Sequence, residues 1–315
     1  MLLGIKALTM AMGLMMSAFP GESAEASNYA KPISSEGVLT NYSLEEPGIP
    51  VLARWKAENG SPRAIILAIH GFGLHKYTYA PFAERMSALG VSTYALDVRG
   101  FGEWIHSQPA NRRLNIERAL VDIRATLKEV REQNPQTPIF LLGESMGGAL
   151  ALRAAADNPE LVKGVISAVP SGKLYGKKAL AFELAVRFLL SGGSRIDIGK
   201  QILGRATSQS ALAKEWLSDA HVRLRVNRSE LMQFNRFMSH NDKVAKSLAN
   251  TSVLMVQGKQ DKLVMPVGTV RLFNELPTRD KSMILVRGGE HLLFEEGQFD
   301  ESLVDSVVGW INAHT

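Results

Sequence analysis

From residue 50 onward, apolar and polar positions alternate between two periods. Short β-rich runs occupy 51–56, 64–69, 92–96, 139–142, 162–169, 252–256 and 283–286. Between several of them lie helical patterns. Ile116, Leu120, Ile123, Leu127 and Val130 recur at spacings of four, three, four and three, which puts all five on one helical face until Asn134-Pro135 ends the segment. Phe82, Met86 and Leu89 repeat the pattern and are closed by Gly90, the residue type favoured just past a helix end. Strands that are apolar almost throughout, separated by amphipathic helices, predict an α/β fold: a mostly parallel central sheet with helices on both faces. Reacting groups in such sheets sit on loops at the carboxyl ends of the strands. Residues 171–249 break the rhythm with about eighty residues of helical but no strand character, too many for a loop. They predict a helical cap over the strand ends, inserted into a core made of 27–170 and 250–315. Within the cap, 179–190 is apolar nearly all round, so it is expected to pack on the core, to line a pocket for an apolar ligand, or to touch a membrane.

Bulk properties narrow the picture without changing it. At 315 residues, 45% hydrophobic and 21% charged, the composition is that of an ordinary globular protein. The net charge of +5 is spread along the chain and not gathered into a basic stripe with aromatics, so nucleic acid is not an expected partner. The absence of cysteine removes disulfides, thiolate metal sites and a cysteine nucleophile together. Residues 1–26 read differently from the rest. Lys6 precedes an apolar run over 7–19, Pro20-Gly21 breaks it, and Ala24-Glu25-Ala26 places small residues around a cleavage point before Ser27. This is the pattern of a secretory signal peptide and predicts an exported protein, with an uncleaved membrane anchor or a plain extension as alternatives.

The strand ends carry the chemistry. After the run at 139–142 comes Gly143-Glu144-Ser145-Met146-Gly147-Gly148, followed by a helix-forming segment. A GxSxG between a buried strand and a helix is a nucleophile elbow, a turn so tight that the positions two before and two after the serine must lack bulk. A serine hydroxyl needs a base within hydrogen-bond reach. Of seven histidines, His291 follows the last strand run on the flexible turn Arg287-Gly288-Gly289-Glu290. The order serine, acid, histidine is the one that accompanies a strand–GxSxG–helix nucleophile. Asp261 leaves the preceding strand run on Gly258-Lys259-Gln260 and is the expected orienting acid, with Glu290 and Asp280 as competitors. A developing oxyanion needs donors. The backbone N–H groups of Met146, next to the serine, and of Phe72, in the loop His70-Gly71-Phe72-Gly73, are the candidates. His70 itself is read as a brace for that loop.

The stretches HGFGLHKYTYAPFAERMSALG (70–90), YALDVRGFGEW (94–104), LLGESMGG (141–148), VLMVQGKQDKLV (253–264) and GGEHLLF (288–294) resemble the monoacylglycerol lipase and lysophospholipase branch of the α/β-hydrolase superfamily, a serine aminopeptidase S33-type domain. The resemblance covers roughly 50–170 and 250–314. It implies a serine esterase with Ser145, Asp261 and His291 as the triad and Phe72 and Met146 as oxyanion donors. It makes Asp97 and Arg99 structural, and it implies an acyl ester or lipid as the small-molecule substrate. Such chemistry requires no metal or organic cofactor, and the cap suggests peripheral membrane contact. Residues 171–249 carry no recognisable substrate-reading motif, so acyl preference, thioester or amide hydrolysis, a non-catalytic binding role and oligomeric state all stay open.

Overall fold

The computed structural model describes residues 39–42, 49–192 and 194–315. The segment read as a signal peptide lies outside the described residues, and among those residues no helix is long and apolar enough to cross a membrane. The strands in chain order are β1 (Leu39–Tyr42), β2 (Leu52–Trp55), β3 (Ala64–Ile69), β4 (Val91–Leu96), β5 (Ile139–Glu144), β6 (Gly164–Ala168), β7 (Ile196–Asp197), β8 (Arg225–Val226), β9 (Ser252–Gly258) and β10 (Lys281–Val286). The helices are α1 (Ala80–Ala88), α2 (Ile116–Gln133), α3 (Met146–Asp157), α4 (Lys177–Leu190), α5 (Gly199–Ala206), α6 (Ser210–Ser218), α7 (Arg228–Met238), α8 (Asn241–Ala245), α9 (Pro266–Glu275) and α10 (Glu301–Asn312).

Eight strands form one sheet in the order β1-β2-β4-β3-β5-β6-β9-β10. The ladders from β4 to β10 are all parallel, and β2 joins β1 and β4 antiparallel. The chain reverses direction of travel across the sheet at β3, so β5, β6 and β9 stand side by side and their carboxyl ends form one rim.

Period-two alternation divides the core. Ile65, Leu67, Ile69, Ile139, Leu141, Val253 and Met255 enter the layer under α2 and α3. Ile66, Ala68, Phe140, Leu142, Leu254 and Val256 enter the layer under α1 and α10, where Phe82, Met86, Val304 and Val307 meet them. Both faces of the central strands are therefore buried, as their continuous apolar runs require. On α2, Ile116, Ile123, Leu127 and Val130 are buried, while Leu120 is only partly so. Leu89 departs from expectation. It caps α1 and stands 39% exposed, because the left-handed Gly90 turns the chain away one residue later.

Between β6 and β9 the chain runs through α4 to α8. Two features of this insertion were not expected: the two-residue antiparallel ladder β7-β8, and a buried ion pair that ties the insertion to the core. Arg223 Nη2 meets Glu230 Oε1 at 2.8 Å, Arg223 Nε donates to the Gly100 carbonyl, and Glu230 Oε1 also accepts the Leu114 N–H. Glu230 closes a capping box with Asn227 at the start of α7.

Candidate active site

The turn from β5 into α3 is as tight as its glycines suggest. A methyl group on Gly147 would stand 1.8 Å from the Ile69 carbonyl oxygen, and one on Gly143 would stand 2.1 Å from the Gly147 carbonyl oxygen. Ser145 between them has φ 55° and ψ −114°, a strained conformation for a residue with a side chain. Its N–H is held by the Ala168 carbonyl at the end of β6, at 2.9 Å. The hydroxyl is thereby presented at the strand rim, over the N-terminus of α3, where negative charge is favoured. Ser145 is 9% exposed and lines a pocket that also takes in His291.

His291 and Asp261 come from the loops after β10 and β9. His291 Nδ1 lies 2.9 Å from Asp261 Oδ2, and both residues are buried. Asp261 Oδ1 accepts the N–H groups of Leu263 and Val264, each at 2.8 Å. Burial alone would raise the Asp261 pKa. The facing imidazole and these donors outweigh it and hold the carboxyl below the usual range, so it stays ionised and fixes the proton on Nδ1. That tautomer leaves the lone pair on Nε2, and His291 lines the pocket beside Ser145. Among the described residues the Ser145 hydroxyl makes no hydrogen bond to the ring, and the two share the pocket wall.

The loop after β3 abuts the elbow. A methyl group on Gly71 would lie 3.7 Å from Ser145 Cβ. Among the described residues the N–H groups of Phe72 and Met146 donate to no protein acceptor, which leaves both available to an oxyanion. His70 is unsuited to act as a base. Nε2 accepts the Val98 N–H at 2.9 Å, Nδ1 faces the Gly71 carbonyl at 2.8 Å, and burial lowers its pKa to about 4. Phe72 packs its ring 5.0 Å from that of Phe101 and 4.7 Å from that of Phe234.

The competing acids have other partners. Glu290 accepts the Ser208 N–H, and Asp280 binds Ser252 and His314. His221 pairs with Asp219, which also holds His75, and His240 bonds the Arg236 carbonyl. His106 stands ring to ring with His221. Asp97 accepts the N–H groups of Lys76 and Glu103 and lies 3.4 Å from Lys76 Nζ, while Arg99 pairs with Asp122 and stacks on Trp104. Both therefore brace the loop after β4. Gln257 was missed by sequence reasoning. Its Nε2 donates to Asp261 Oδ2 at 3.2 Å, the oxygen that faces His291. The available signal was a polar residue inside the apolar run of β9.

The pocket at Ser145 holds about 960 Å³ of empty space, solvent at its mouth included. Leu174, Leu180, Leu184, Leu231, Phe234 and Asn235 line it and also line a second, more open cavity along α4 and α7. The stripe at 180, 184 and 188 therefore faces cavity, while Leu189 and Leu190 at the end of α4 are 82% and 80% exposed. Among the described residues no group of three or more His, Asp or Glu side chains is arranged to hold a metal ion.

A strained serine at a strand–helix turn, in a mostly parallel sheet, defines a serine hydrolase of the α/β-hydrolase fold, in the lipase and esterase class. The family model described as serine aminopeptidase, S33 matches residues 60–298, and the chain belongs to that family. The monoglyceride lipase of Rattus norvegicus is 28% identical over 82% of this chain and 85% of that protein. Phospholipase YtpA of Bacillus subtilis is 24% identical over 78% of this chain and 94% of that protein. Among solved structures, a soluble variant of monoglyceride lipase from Saccharomyces cerevisiae in complex with a substrate analogue superposes with a TM-score of 0.74 at 21% identity, over 90% of this chain and 98% of that one.

Proposed function

We propose that the protein hydrolyses lipid esters of the monoacylglycerol or lysophospholipid kind through an acyl-enzyme on Ser145. The observation that carries this reading is the apolar wall that begins at Ser145 and His291 and continues into the second cavity between α4 and α7. Such a wall suits a single long acyl chain, and an amide or peptide substrate would leave polar groups unpaired against it. The named activities of the relatives point the same way.

In this mechanism Ser145 Oγ attacks the ester carbonyl while His291 Nε2 takes the hydroxyl proton. Asp261 keeps the ring in the tautomer that leaves Nε2 free. The tetrahedral oxyanion accepts the N–H groups of Met146 and Phe72 as the charge develops. His291 then protonates the departing alcohol, and a water activated by the same nitrogen releases the acid. Leu189 and Leu190 offer exposed apolar surface toward a lipid phase, and residues 1–26 direct export.

The test is a chain-length series of p-nitrophenyl esters, followed by a monoacylglycerol and a lysophospholipid with the preferred chain. Each methylene that enters the pocket contributes about 0.8 kcal/mol, so kcat/KM should rise about fourfold per carbon until the pocket is filled. A maximum at acetyl with no further rise, or a thioester preferred over the matched ester, would overturn the lipid reading.

A further inference from the structure

Two carboxylic acids outside this mechanism lie directly behind the reacting groups. Glu144 ends β5 one residue before Ser145 and is fully buried, and Glu295, four residues after His291, is buried too. Glu144 Oε1 accepts the Leu293 N–H at 2.5 Å, and Glu295 Oε2 accepts the N–H of its neighbour Phe294 at 3.2 Å. Glu144 Oε2 is buried with no donor to accept from, and the two acids accept N–H groups one residue apart, those of Leu293 and Phe294, which brings the two carboxyls together. Among the described residues no lysine or arginine forms an ion pair with either acid. Two bare carboxylates in that position would repel without compensation, whereas one O–H between them satisfies both.

We propose that Glu144 and Glu295 hold a single shared proton, with Glu144 Oε2–H donating to Glu295, and that this bond positions the His291 loop against the strand that carries Ser145. The loop is fixed on its other side by the insertion, through His291 N–H to the Ala206 carbonyl and Ser208 N–H to Glu290. Without the shared proton, the bond from Leu293 N–H to Glu144 Oε1 is what remains between this loop and β5, and the two acids repel across it.

Among the described residues, Tyr79, Asp261 and His291 face the pair; the first two favour a trapped proton, and His291 favours the charged form of Glu295, which leaves the proton on Glu144. Tyr79, beside α1, donates its hydroxyl to the Ile69 carbonyl, and burial, then Glu144 and Glu295, push its pKa up, so it stays neutral. Asp261, from the loop after β9, adds negative charge, and His291 faces the pair from the loop it shares with Glu295. Burial and the mutual repulsion raise the Glu144 carboxyl well above its ordinary value, and burial raises that of Glu295. The folded chain thus binds one more proton than the unfolded chain above the ordinary glutamate range. The stability this proton contributes is therefore full below the ordinary glutamate range and is lost as pH rises toward the raised pKa, by up to about tenfold in the unfolding constant per pH unit.

Urea unfolding of the full chain, followed by tryptophan fluorescence at about pH 6, 7 and 8, reads that proton without using catalysis. The catalytic consequence alone rests on the Ser145 reading. Glu144→Gln and Glu295→Gln each replace the shared O–H with an amide N–H that does not titrate. In either variant the rise of the unfolding constant across those two pH units should be smaller than in the wild type, by up to about 100-fold for one proton, other groups cancelling in the comparison. If one variant fails to fold, the other gives the same measurement. A second readout is kcat at saturating ester, which should fall in Glu144→Ala with little change in KM and be restored in part in Glu144→Gln. Parallel pH dependence in the wild type and a folded Gln variant overturns the shared proton. Equal kcat loss in the Ala and Gln variants overturns the positioning role.

Discussion

Asp261→Asn separates the orientation of the imidazole from everything else the loop does. The asparagine side-chain oxygen takes the place of Oδ1 and keeps the Leu263 and Val264 N–H bonds of 2.8 Å, so the side chain cannot flip. Its NH2 group then replaces Oδ2 and faces His291 Nδ1 at 2.9 Å and Gln257 Nε2 at 3.2 Å. A donor opposite Nδ1 turns that nitrogen into the acceptor and moves the ring proton to Nε2, the atom that must take the serine proton. The expected loss in kcat is about 10³–10⁴-fold, or roughly 4–5.5 kcal/mol in the barrier, as for a triad locked in the wrong tautomer. The fold loses one buried hydrogen bond at Gln257 and gains one unpaired donor, costing about 1–3 kcal/mol and lowering Tm by a few degrees. The assay is p-nitrophenyl butyrate hydrolysis at saturation, beside a thermal melt of the same sample. A folded variant that keeps kcat within about tenfold of wild type would refute the argument, since the wrong tautomer cannot act as the base.

The same geometry gives further expectations. The proposed base works only as the neutral imidazole, so activity should fall in acid while Asp261, held below the usual carboxylate range by the imidazole and its backbone donors against the effect of burial, still orients the ring; a flat profile from about pH 5 to 8 would contradict this. Gly147→Ala places a methyl 1.8 Å from the Ile69 carbonyl, an overlap with backbone that no rotamer relieves, so it should destabilise by about 3 kcal/mol or more and abolish activity, read by urea midpoint and ester assay. Glu230→Gln leaves Arg223 buried without its counter-charge and should cost about 3–5 kcal/mol at neutral pH. Burial raises the Glu230 carboxyl, but its backbone donors and Arg223 bring the net below the usual value. Its contribution is therefore present above the ordinary glutamate range and lost as pH falls, and the variant's urea midpoint should depend less on pH in acid than the wild type's. Leu231→Trp fills the wall shared by the two cavities and should cut kcat/KM for decanoyl esters by about tenfold or more while sparing acetyl esters.

Much of this fold was legible because its central strands are buried on both faces and its helices on one, so burial is written into local periodicity. The runs at 64–69 and 139–142 became β3 and β5 nearly unchanged, and the apolar face of 116–130 became the inner side of α2. β1 escaped notice because a four-residue edge strand has too few positions to show a period. β7 and β8 are two residues each and exist only through pairing across the insertion. Leu89 was misread because periodicity cannot register a chain reversal at Gly90. At the site, Ser145, Asp261 and His291 stood out because each leaves a strand end on a glycine-rich turn. The supporting groups were illegible for the opposite reason. Glu144 meets Leu293 across 149 positions, and Arg223 reaches Gly100 across 123, separations over which local pattern says nothing. What pointed to them was a charged or polar residue in an apolar run, as at Glu144 and Gln257, which must find a buried partner wherever the fold supplies one.

The most direct test of the whole account is covalent capture of the nucleophile. Brief exposure of the folded protein to a fluorophosphonate, followed by intact mass and peptide mapping, should give one adduct per chain on the peptide containing Ser145, and none in Ser145→Ala. An adduct on another residue, or none on a folded and otherwise unmodified chain, would contradict the assignment of Ser145 and the ester chemistry built on it.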